Sequence, residues 1–274
     1  MQQTVEVSWN GEGFNISKRE CFKDRGDAIE SLISLALLKI TNEEKRNLKN
    51  FSMKVWTGDY PTGIDALPGT YAFCYPKYSN MLAPDFNFMN WPSVGVMDYE
   101  ETCKNIIEES KKPFLHSQLF WAGSGYTNKA RGSMIEMTKN DKRMSINDVG
   151  HWKGSETSSG FFVSLPNHCH YKYLIDIQGW GYSGRVKHLL HSKRPLFFQE
   201  RDCNEYWFFD LEPFVHYIPV KKDLSDFYEK FEWCEKNYGD CIKIAENAQN
   251  FAINNLRRQN AVDKYKEIII DKKK

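Results

Sequence analysis

The segment Tyr171–His191 reads YKYLIDIQGWGYSGRVKHLLH, and it constrains the fold more than any other stretch of the sequence. Its first seven residues alternate in the manner of a β-strand. Three glycines follow, at positions 179, 181 and 184, and a helical stretch begins at Arg185. A strand that enters a glycine-rich loop and then a helix is the repeating unit of α/β proteins with parallel sheets.

The rest of the chain continues this alternation. We predict strands over residues 5–9, 51–56, 71–74, 115–122, 171–177, 195–198 and 215–220. We predict helices over residues 27–40, 185–191, 223–236 and 240–257, with others after Tyr99 and around Met134–Met137. The sequence therefore predicts an α/β fold.

The length of 274 residues suits about two compact lobes. We place the boundary at Lys111-Lys112-Pro113, which gives an N-terminal lobe over 1–112 and a second lobe over 113–245. Residues 246–274 are expected to form a C-terminal helix that packs back on the first lobe, with the tail IIIDKKK frayed. Two α/β lobes leave a cleft where the carboxyl ends of their strands face a ligand.

The composition excludes several classes of partner. The chain has 37 basic and 36 acidic residues, whereas proteins that bind nucleic acid or a membrane surface usually carry a basic excess. The seven cysteines form no CxxC pair, apolar runs such as residues 35–38 are far too short to span a membrane, and the first residues lack a signal-peptide pattern. We therefore expect a soluble cytoplasmic protein without stable membrane insertion. The oligomeric state stays open.

Two glycine-rich loops can hold phosphate groups. In the segment quoted first, glycines let backbone N–H groups approach an anion, Ser183 can donate a hydrogen bond, and Arg185 can clamp a phosphate. The loop Gly123–Asn128 has the same organisation and leads to Arg131. Each loop alone is also compatible with an ordinary turn. The two together favour a diphosphate ligand.

A metal site is the competing interpretation. His168-Cys169-His170 offers suitable ligands, but neighbouring residues of a strand point to opposite faces, and no second cluster has zinc spacing. The sequence contains no Asp-x-Asp and no GxSxG, HExxH or SxxK motif, so neither a catalytic divalent cation nor a hydrolase is indicated. We expect no metal and no cofactor, and a structural role for His188 and His191.

Several motifs resemble glycosyltransferase family 90, which includes capsule-associated proteins, lipopolysaccharide-modifying enzymes and protein O-glucosyl- and O-xylosyltransferases. The similar segments, in the order typical of the family, are WTGDYP (56–61), YAFCYPKYSNMLAPDF (71–86), WAGSGYTNKAR (121–131), HCHYKYLIDIQG (168–179), SGRVKHLL (183–190), EYWFFDLEPFVHYIPVKKDLSDF (205–227) and IAENAQNF (244–251). They extend over roughly residues 50 to 255. Family members often carry an arginine before the aspartate of the first motif, where this chain has Gly58.

The resemblance implies a GT-B-like fold of two Rossmann-type lobes and a metal-independent enzyme that uses a UDP-sugar as co-substrate. It implies that Asp59 is the catalytic aspartate. The donor-binding positions it implies are Ser124, Thr127, Arg131, Gly179, Gly181, Ser183 and Arg185. Further candidates for the donor or acceptor pocket are Tyr60, Trp180, Tyr182 and Glu205.

The leading hypothesis is an inverting transferase that moves a sugar, with xylose favoured over glucose, to a hydroxyl group of a glycan. A single displacement with Asp59 as general base would give a β-linkage. One alternative is a glucosyl- or galactosyltransferase of a surface polysaccharide or lipopolysaccharide. The other is a non-catalytic protein of the same fold that binds a carbohydrate or nucleotide-sugar. The acceptor and the linkage position stay open.

Overall fold

A computed structural model describes residues 3–19, 21, 23–59, 69–75, 79–153, 156–157 and 159–273. It confirms the predicted α/β class. Parallel strands are present, and helices connect many of the strands along the chain. The strands are β1 (Thr4–Trp9), β2 (Phe14–Arg19), β3 (Phe51–Trp56), β4 (Thr70–Tyr71), β5 (His116–Gly123), β6 (Met144–Asp148), β7 (Trp152–Lys153), β8 (Glu156–Thr157), β9 (Tyr171–Asp176), β10 (Leu196–Gln199) and β11 (Ile218–Val220).

The predicted α-helices are present with shifted ends, and the short helix over 42–46 was not predicted. The helices are α1 (Lys23–Leu38), α2 (Asn42–Arg46), α3 (Tyr99–Ser110), α4 (Lys129–Thr138), α5 (Val186–Leu190), α6 (Phe227–Lys236), α7 (Tyr238–Asn255) and α8 (Arg258–Ile270). None of the helices in the described ranges is long and apolar enough to cross a membrane.

The chain divides into two compact units. The first unit contains residues 1–91, 202–208 and 257–274, and the second contains residues 92–201 and 209–256. The division after residue 91 differs from the boundary that the sequence suggested after residue 112, because α3 packs within the second unit. There the Tyr99 hydroxyl donates to the Leu256 carbonyl over 2.6 Å, and Gln249 Nε2 donates to Ser110 Oγ over 3.0 Å.

The first unit contains a mixed four-stranded sheet in the order β2-β1-β3-β4. Strand β1 is antiparallel to both of its neighbours, and only β3 and β4 run parallel. The prediction of a Rossmann-type N-terminal lobe is therefore wrong for the described residues. The physical reason is the short β1–β2 connection, in which Gly11 adopts a φ of +92°, since a tight turn can join only antiparallel strands.

Helix α8 belongs to the first unit and packs against α1. The expectation of a frayed tail is wrong, because Ile268 and Ile269 are buried and the Tyr265 hydroxyl donates to the Pro84 carbonyl over 2.7 Å. The predicted C-terminal helix is in fact two helices. Helix α7 ends at Asn255 within the second unit, and α8 starts afresh at Arg258.

The second unit contains a fully parallel five-stranded sheet in the order β11-β10-β9-β5-β6. Counted along the chain, the strands stand in the order 2-1-3-4-5, which is that of a flavodoxin-like doubly wound sheet. Its core is rich in aromatic side chains, with Tyr173, Phe197 and Phe231 in mutual edge or tilted contacts. The predicted strand 215–220 shortens to β11 because Phe214 adopts a φ of +59° in a turn before it.

Candidate functional site

The parallel sheet has a switch point between β5 and β9, because the chain proceeds from β5 to one side and from β9 to the other. In open α/β sheets, ligands bind outside the carboxyl ends of strands at such a point. Strand β5 ends at Gly123, immediately before the first glycine-rich loop, and β9 ends at Asp176, immediately before the second. The topology therefore brings both sequence-predicted loops to one edge of the second unit.

A buried carboxylate organises the second loop. Asp176 is fully buried and accepts a hydrogen bond from Ser183 Oγ over 2.6 Å. Its oxygens also lie 3.2 Å from Nε of Arg185 and 2.7 Å from Nη2 of Arg201. Burial alone would raise the pKa of Asp176, but the charges of Arg201 and Arg185 and the Ser183 hydrogen bond hold it below its usual value. The carboxylate is thus a fixed counter-charge between two arginines.

Arg185 reaches from this carboxylate to the end of the neighbouring strand. Its Nη1 donates to the Ala122 carbonyl in β5, and its guanidinium carbon lies 5.4 Å from the centre of the Trp121 ring. Nη2 has no hydrogen-bond partner among the residues that the structure describes. Arg185 therefore keeps donor capacity for a ligand at the switch point.

Arg131 ties the two loops together. It donates to the Gln178 carbonyl over 2.8 Å and to the Ile177 carbonyl over 3.0 Å, at the start of the second loop. It also donates to the Ser124 carbonyl over 3.3 Å and to Thr127 Oγ1 over 2.9 Å, in the first loop. The predicted role of Arg131 as a phosphate clamp stays a prediction, but these contacts give it a clear structural role.

The hydroxyl groups of the first loop bond within the protein. Ser124 Oγ donates to the Gly150 carbonyl, and Thr127 Oγ1 donates to the Ser124 carbonyl over 3.0 Å. Gly123 is required by packing, since a Cβ there would lie 2.6 Å from the Trp121 ring. The loop is thereby held in one conformation against β5.

Glycines also shape the second loop. A Cβ on Gly179 would lie 3.1 Å from the Tyr182 carbonyl and 3.3 Å from Arg131 Nη2, so the chain and the guanidinium approach closely there. Gly181 and Tyr182 are buried, whereas Trp180 between them is 64% exposed.

Aromatic side chains stand exposed at the tips of both loops. Tyr126 in the first loop is 54% exposed, and its ring centre lies 6.3 Å from that of Trp180, edge to face. The ring of His151 lies 4.1 Å from Tyr126 on its other side. A cluster of exposed rings forms a contiguous apolar surface, and a flat ligand could pack on it.

One buried histidine, His168, packs beside β5. His168 lies against Phe120 of β5, and burial lowers its pKa to about 4, so it is neutral near pH 7. His168, Cys169 and His170 occupy a short 3₁₀ helix, Pro166–His170, and not the strand that the sequence suggested. The cause is Pro166 at its start, which favours a helical turn. No group of three metal-ligating side chains occurs in the described part of the chain.

The candidate general base lies in the first unit. Asp59 follows β3, and its Oδ1 accepts a hydrogen bond from Nη1 of Arg25, an α1 residue, over 2.8 Å. Arg25 also donates to the Thr57 carbonyl, and Cys74 Sγ donates to the Asp59 carbonyl over 3.3 Å. Oδ2 of Asp59 has no hydrogen-bond partner among the described residues, and the side chain as a whole is 40% exposed. The carboxylate is held on one side and open on the other.

Two of the candidate pocket residues remain to be placed, Glu205 and Tyr60. Glu205 is buried in the first unit, where Trp207 Nε1 donates to its Oε1 over 3.3 Å. Tyr60 lies outside the described residues. The structure thus brings the loop residues together in the second unit, and it places Asp59 and Glu205 in the first.

Three contributors were missed by sequence reasoning. Asp176 stands in the apolar run LIDI directly before the glycine-rich loop, and a charged residue in a buried strand was a usable signal. Arg201 comes from the end of the next strand, and Arg25 from a helix 34 residues before Asp59. Neither arginine belongs to a local motif.

Comparison with known proteins shows which family and which relatives this chain is similar to. A family model described as glycosyl transferase family 90 matches residues 52–272. Protein O-glucosyltransferase 1 of Rattus norvegicus is 36% identical over 122 residues, which is 44% of this chain and 30% of that protein. Protein O-glucosyltransferase 2 of Danio rerio is 29% identical over 143 residues, 50% of this chain and 28% of that protein. Protein 035R of Invertebrate iridescent virus 3 is 35% identical over 131 residues, 47% of this chain and 12% of that protein. The alignments thus cover less than a third of each relative's length.

Proposed function

Because the chain belongs to glycosyltransferase family 90, we propose that it transfers a sugar from a UDP-sugar to a hydroxyl group of a glycan, with inversion to a β-linkage. The observation that carries this proposal is the pair of loops at the switch point of the parallel sheet, where Arg131 and Arg185 converge on Trp121. The first unit supplies the base, Asp59. The proposed fold is GT-B-like, with the base in one unit and the donor-binding loops in the other.

Charge supports a diphosphate as the ligand of these loops. Three guanidiniums, those of Arg131, Arg185 and Arg201, stand against two carboxylates at these loops. Asp176 pairs with Arg185 and Arg201, and Asp148 accepts a hydrogen bond from the Gly125 N–H. The local excess of positive charge, the backbone N–H groups of the glycine-rich loops and the free Nη2 of Arg185 are suited to a departing UDP. The exposed rings of Tyr126 and Trp180 are suited to a flat group attached to it.

The donor sugar is proposed as xylose or glucose. The resemblance of the motifs favours xylose, whereas the names of the curated relatives favour glucose. Release of UDP from a panel of UDP-sugars, with a glycan mixture as acceptor, tests both. Turnover with either donor supports the enzyme, and binding of a UDP-sugar without turnover by any donor would instead indicate a carbohydrate-binding protein.

Replacing Arg185 with alanine should weaken UDP binding by about 2–3 kcal/mol, the value of a hydrogen bond to a charged group. This corresponds to a roughly 30- to 150-fold higher Kd in calorimetry. Arg143→Ala is a suitable control, because Arg143 is exposed and stands before β6, away from the loops. Unchanged UDP affinity in the folded Arg185→Ala protein would remove Arg185 from the donor site.

Transfer should not need a divalent cation. The proposed leaving-group stabilisation comes from arginines and loop N–H groups and not from carboxylates that chelate a metal. Activity should therefore persist in EDTA and gain nothing from added Mn²⁺ or Mg²⁺. Loss of activity in EDTA with recovery on addition of either metal would contradict this.

A further inference from the structure

A polar pocket in the first unit lies between its sheet and α8. Tyr71 of β4 and Tyr206 form aromatic parts of its lining, and Leu82 and Ile268 of α8 are apolar parts. Leu82 continues the sheet beyond β4, since it forms a bridge with Ala72. Every residue that lines the pocket belongs to the first unit, so the pocket is a feature of that unit alone.

Hydrogen-bond donors and hydrogen-bond acceptors surround these two aromatic rings. Asn80, Lys264, Glu267 and Asp271 complete the lining, and Lys264 Nζ lies 3.0 Å from Glu267 Oε2. An amide and two carboxylates accept hydrogen bonds from hydroxyl groups, while the amide and the ammonium group donate to them. Neither charge predominates strongly, because two acidic groups face one basic group within the lining.

Tyr71 is held in a fixed orientation. Lys272 Nζ donates to its hydroxyl over 3.0 Å and lies 5.0 Å from its ring centre. Tyr71 is 7% exposed, so only the edge of its ring and the less buried ring of Tyr206 face the pocket, and the groups around them offer hydrogen bonds in several directions. The C–H face and the hydroxyl groups of a sugar ring present the complementary surfaces.

The pocket shares its scaffold with the candidate base. Strand β3, which leads to Asp59, pairs with β4 so that Val55 stands opposite Tyr71. Trp56, at the end of β3, packs in one cluster with Leu82 and Tyr206, which are part of the pocket lining. A ligand in the pocket is therefore held by the same elements that position the carboxylate.

We propose that this pocket is a subsite for a neutral sugar unit of the acceptor glycan, away from the hydroxyl group that is glycosylated. The proposal rests on the proposed function for its role in catalysis, but the binding of neutral oligosaccharides can be measured without turnover. The pocket then selects for acceptors of more than one sugar residue.

The test uses the full chain with UDP present and an array of neutral oligosaccharides of one to six sugar residues. Asn80→Ala and Glu267→Ala remove pocket groups from exposed positions, and Glu43→Ala is the control, an exposed residue of α2 in the same unit. Each pocket variant should bind the retained oligosaccharides roughly five- to tenfold more weakly, as expected for one lost hydrogen bond. The UDP affinity of each pocket variant and the oligosaccharide binding of the control should stay at wild-type values.

Two outcomes overturn the proposal. One is that the wild-type chain retains no neutral oligosaccharide, and the other is that Asn80→Ala and Glu267→Ala bind them as the wild type does. A failure of the proposed function shows separately, as absence of UDP binding by the wild-type chain. Preferential retention of anionic glycans through the same residues would also count against a neutral ligand.

Discussion

Replacing Asp59 with asparagine should lower the rate of sugar transfer by about 10²–10⁴-fold, the usual contribution of a general base. Asparagine keeps the shape and can still accept the hydrogen bond from Arg25, but it cannot take a proton from the acceptor hydroxyl. Within the described ranges Oδ1 alone bonds to Arg25, so Oδ2 is the atom to which that proton would pass. The measurement is the initial rate of UDP release with saturating donor and acceptor.

The control for this prediction is Asp24→Asn. Asp24 precedes Arg25 in the same helix and is exposed, so its loss should not alter transfer. The UDP affinity of Asp59→Asn should match that of the wild type, because the donor loops belong to the second unit. A variant that transfers sugar at more than a tenth of the wild-type rate, or an α-linked product, would exclude Asp59 as the base of an inverting reaction.

Replacing Asp176 with asparagine should lower the free energy of unfolding by about 3–5 kcal/mol, the cost of breaking a buried ion pair by removing one partner. The reason is that Arg201, whose side chain is 1% exposed, and Arg185 lose their common counter-charge. Urea denaturation followed by circular dichroism measures the effect. Asp210→Asn provides the control, because Asp210 is exposed and such substitutions usually change stability by less than about 0.5 kcal/mol.

The difference in the free energy of unfolding between wild type and Asp176→Asn should become smaller at acidic pH. The pKa of Asp176 is lowered in the folded protein, so the carboxylate contributes its full stabilisation above about pH 3.9, the ordinary pKa of an aspartate. The difference should stay constant from pH 5 to 8 and shrink as the pH falls further. A loss below about 1 kcal/mol at pH 7 would mean that the arginines do not depend on this carboxylate.

The sequence predicted the donor side better than the base. The loops after β5 and β9 were recognisable because glycines, hydroxyl residues and arginines occur within a few positions of each other, and parallel strands bring their carboxyl ends to one edge. The contact between Arg25 and Asp59 had no such signal. It joins a helix to a loop across a sheet, and local patterns do not record which distant side chains meet.

The errors in the predicted fold also have specific causes. The Rossmann-type N-terminal lobe came from the resemblance, although the turn at Asn10-Gly11 already favoured a hairpin. Helix α8 was expected to be part of one C-terminal helix that ended in a frayed tail, IIIDKKK. Its buried residues Ala261, Val262, Tyr265, Ile268 and Ile269 nevertheless follow helical spacing, so the information was present in the sequence.

The division of the chain into segments has a consequence for its synthesis. Domains generally fold from the amino terminus as the chain emerges from the ribosome. Here the first unit cannot close around Trp56 and Leu82 until Tyr206 has been made, and it cannot cover α1 until α8, which follows the second unit in sequence, has been made as well. The unit that emerges first is therefore completed last, and residues 1–91 must wait, with apolar surface exposed, while the parallel sheet of the second unit is translated and folds.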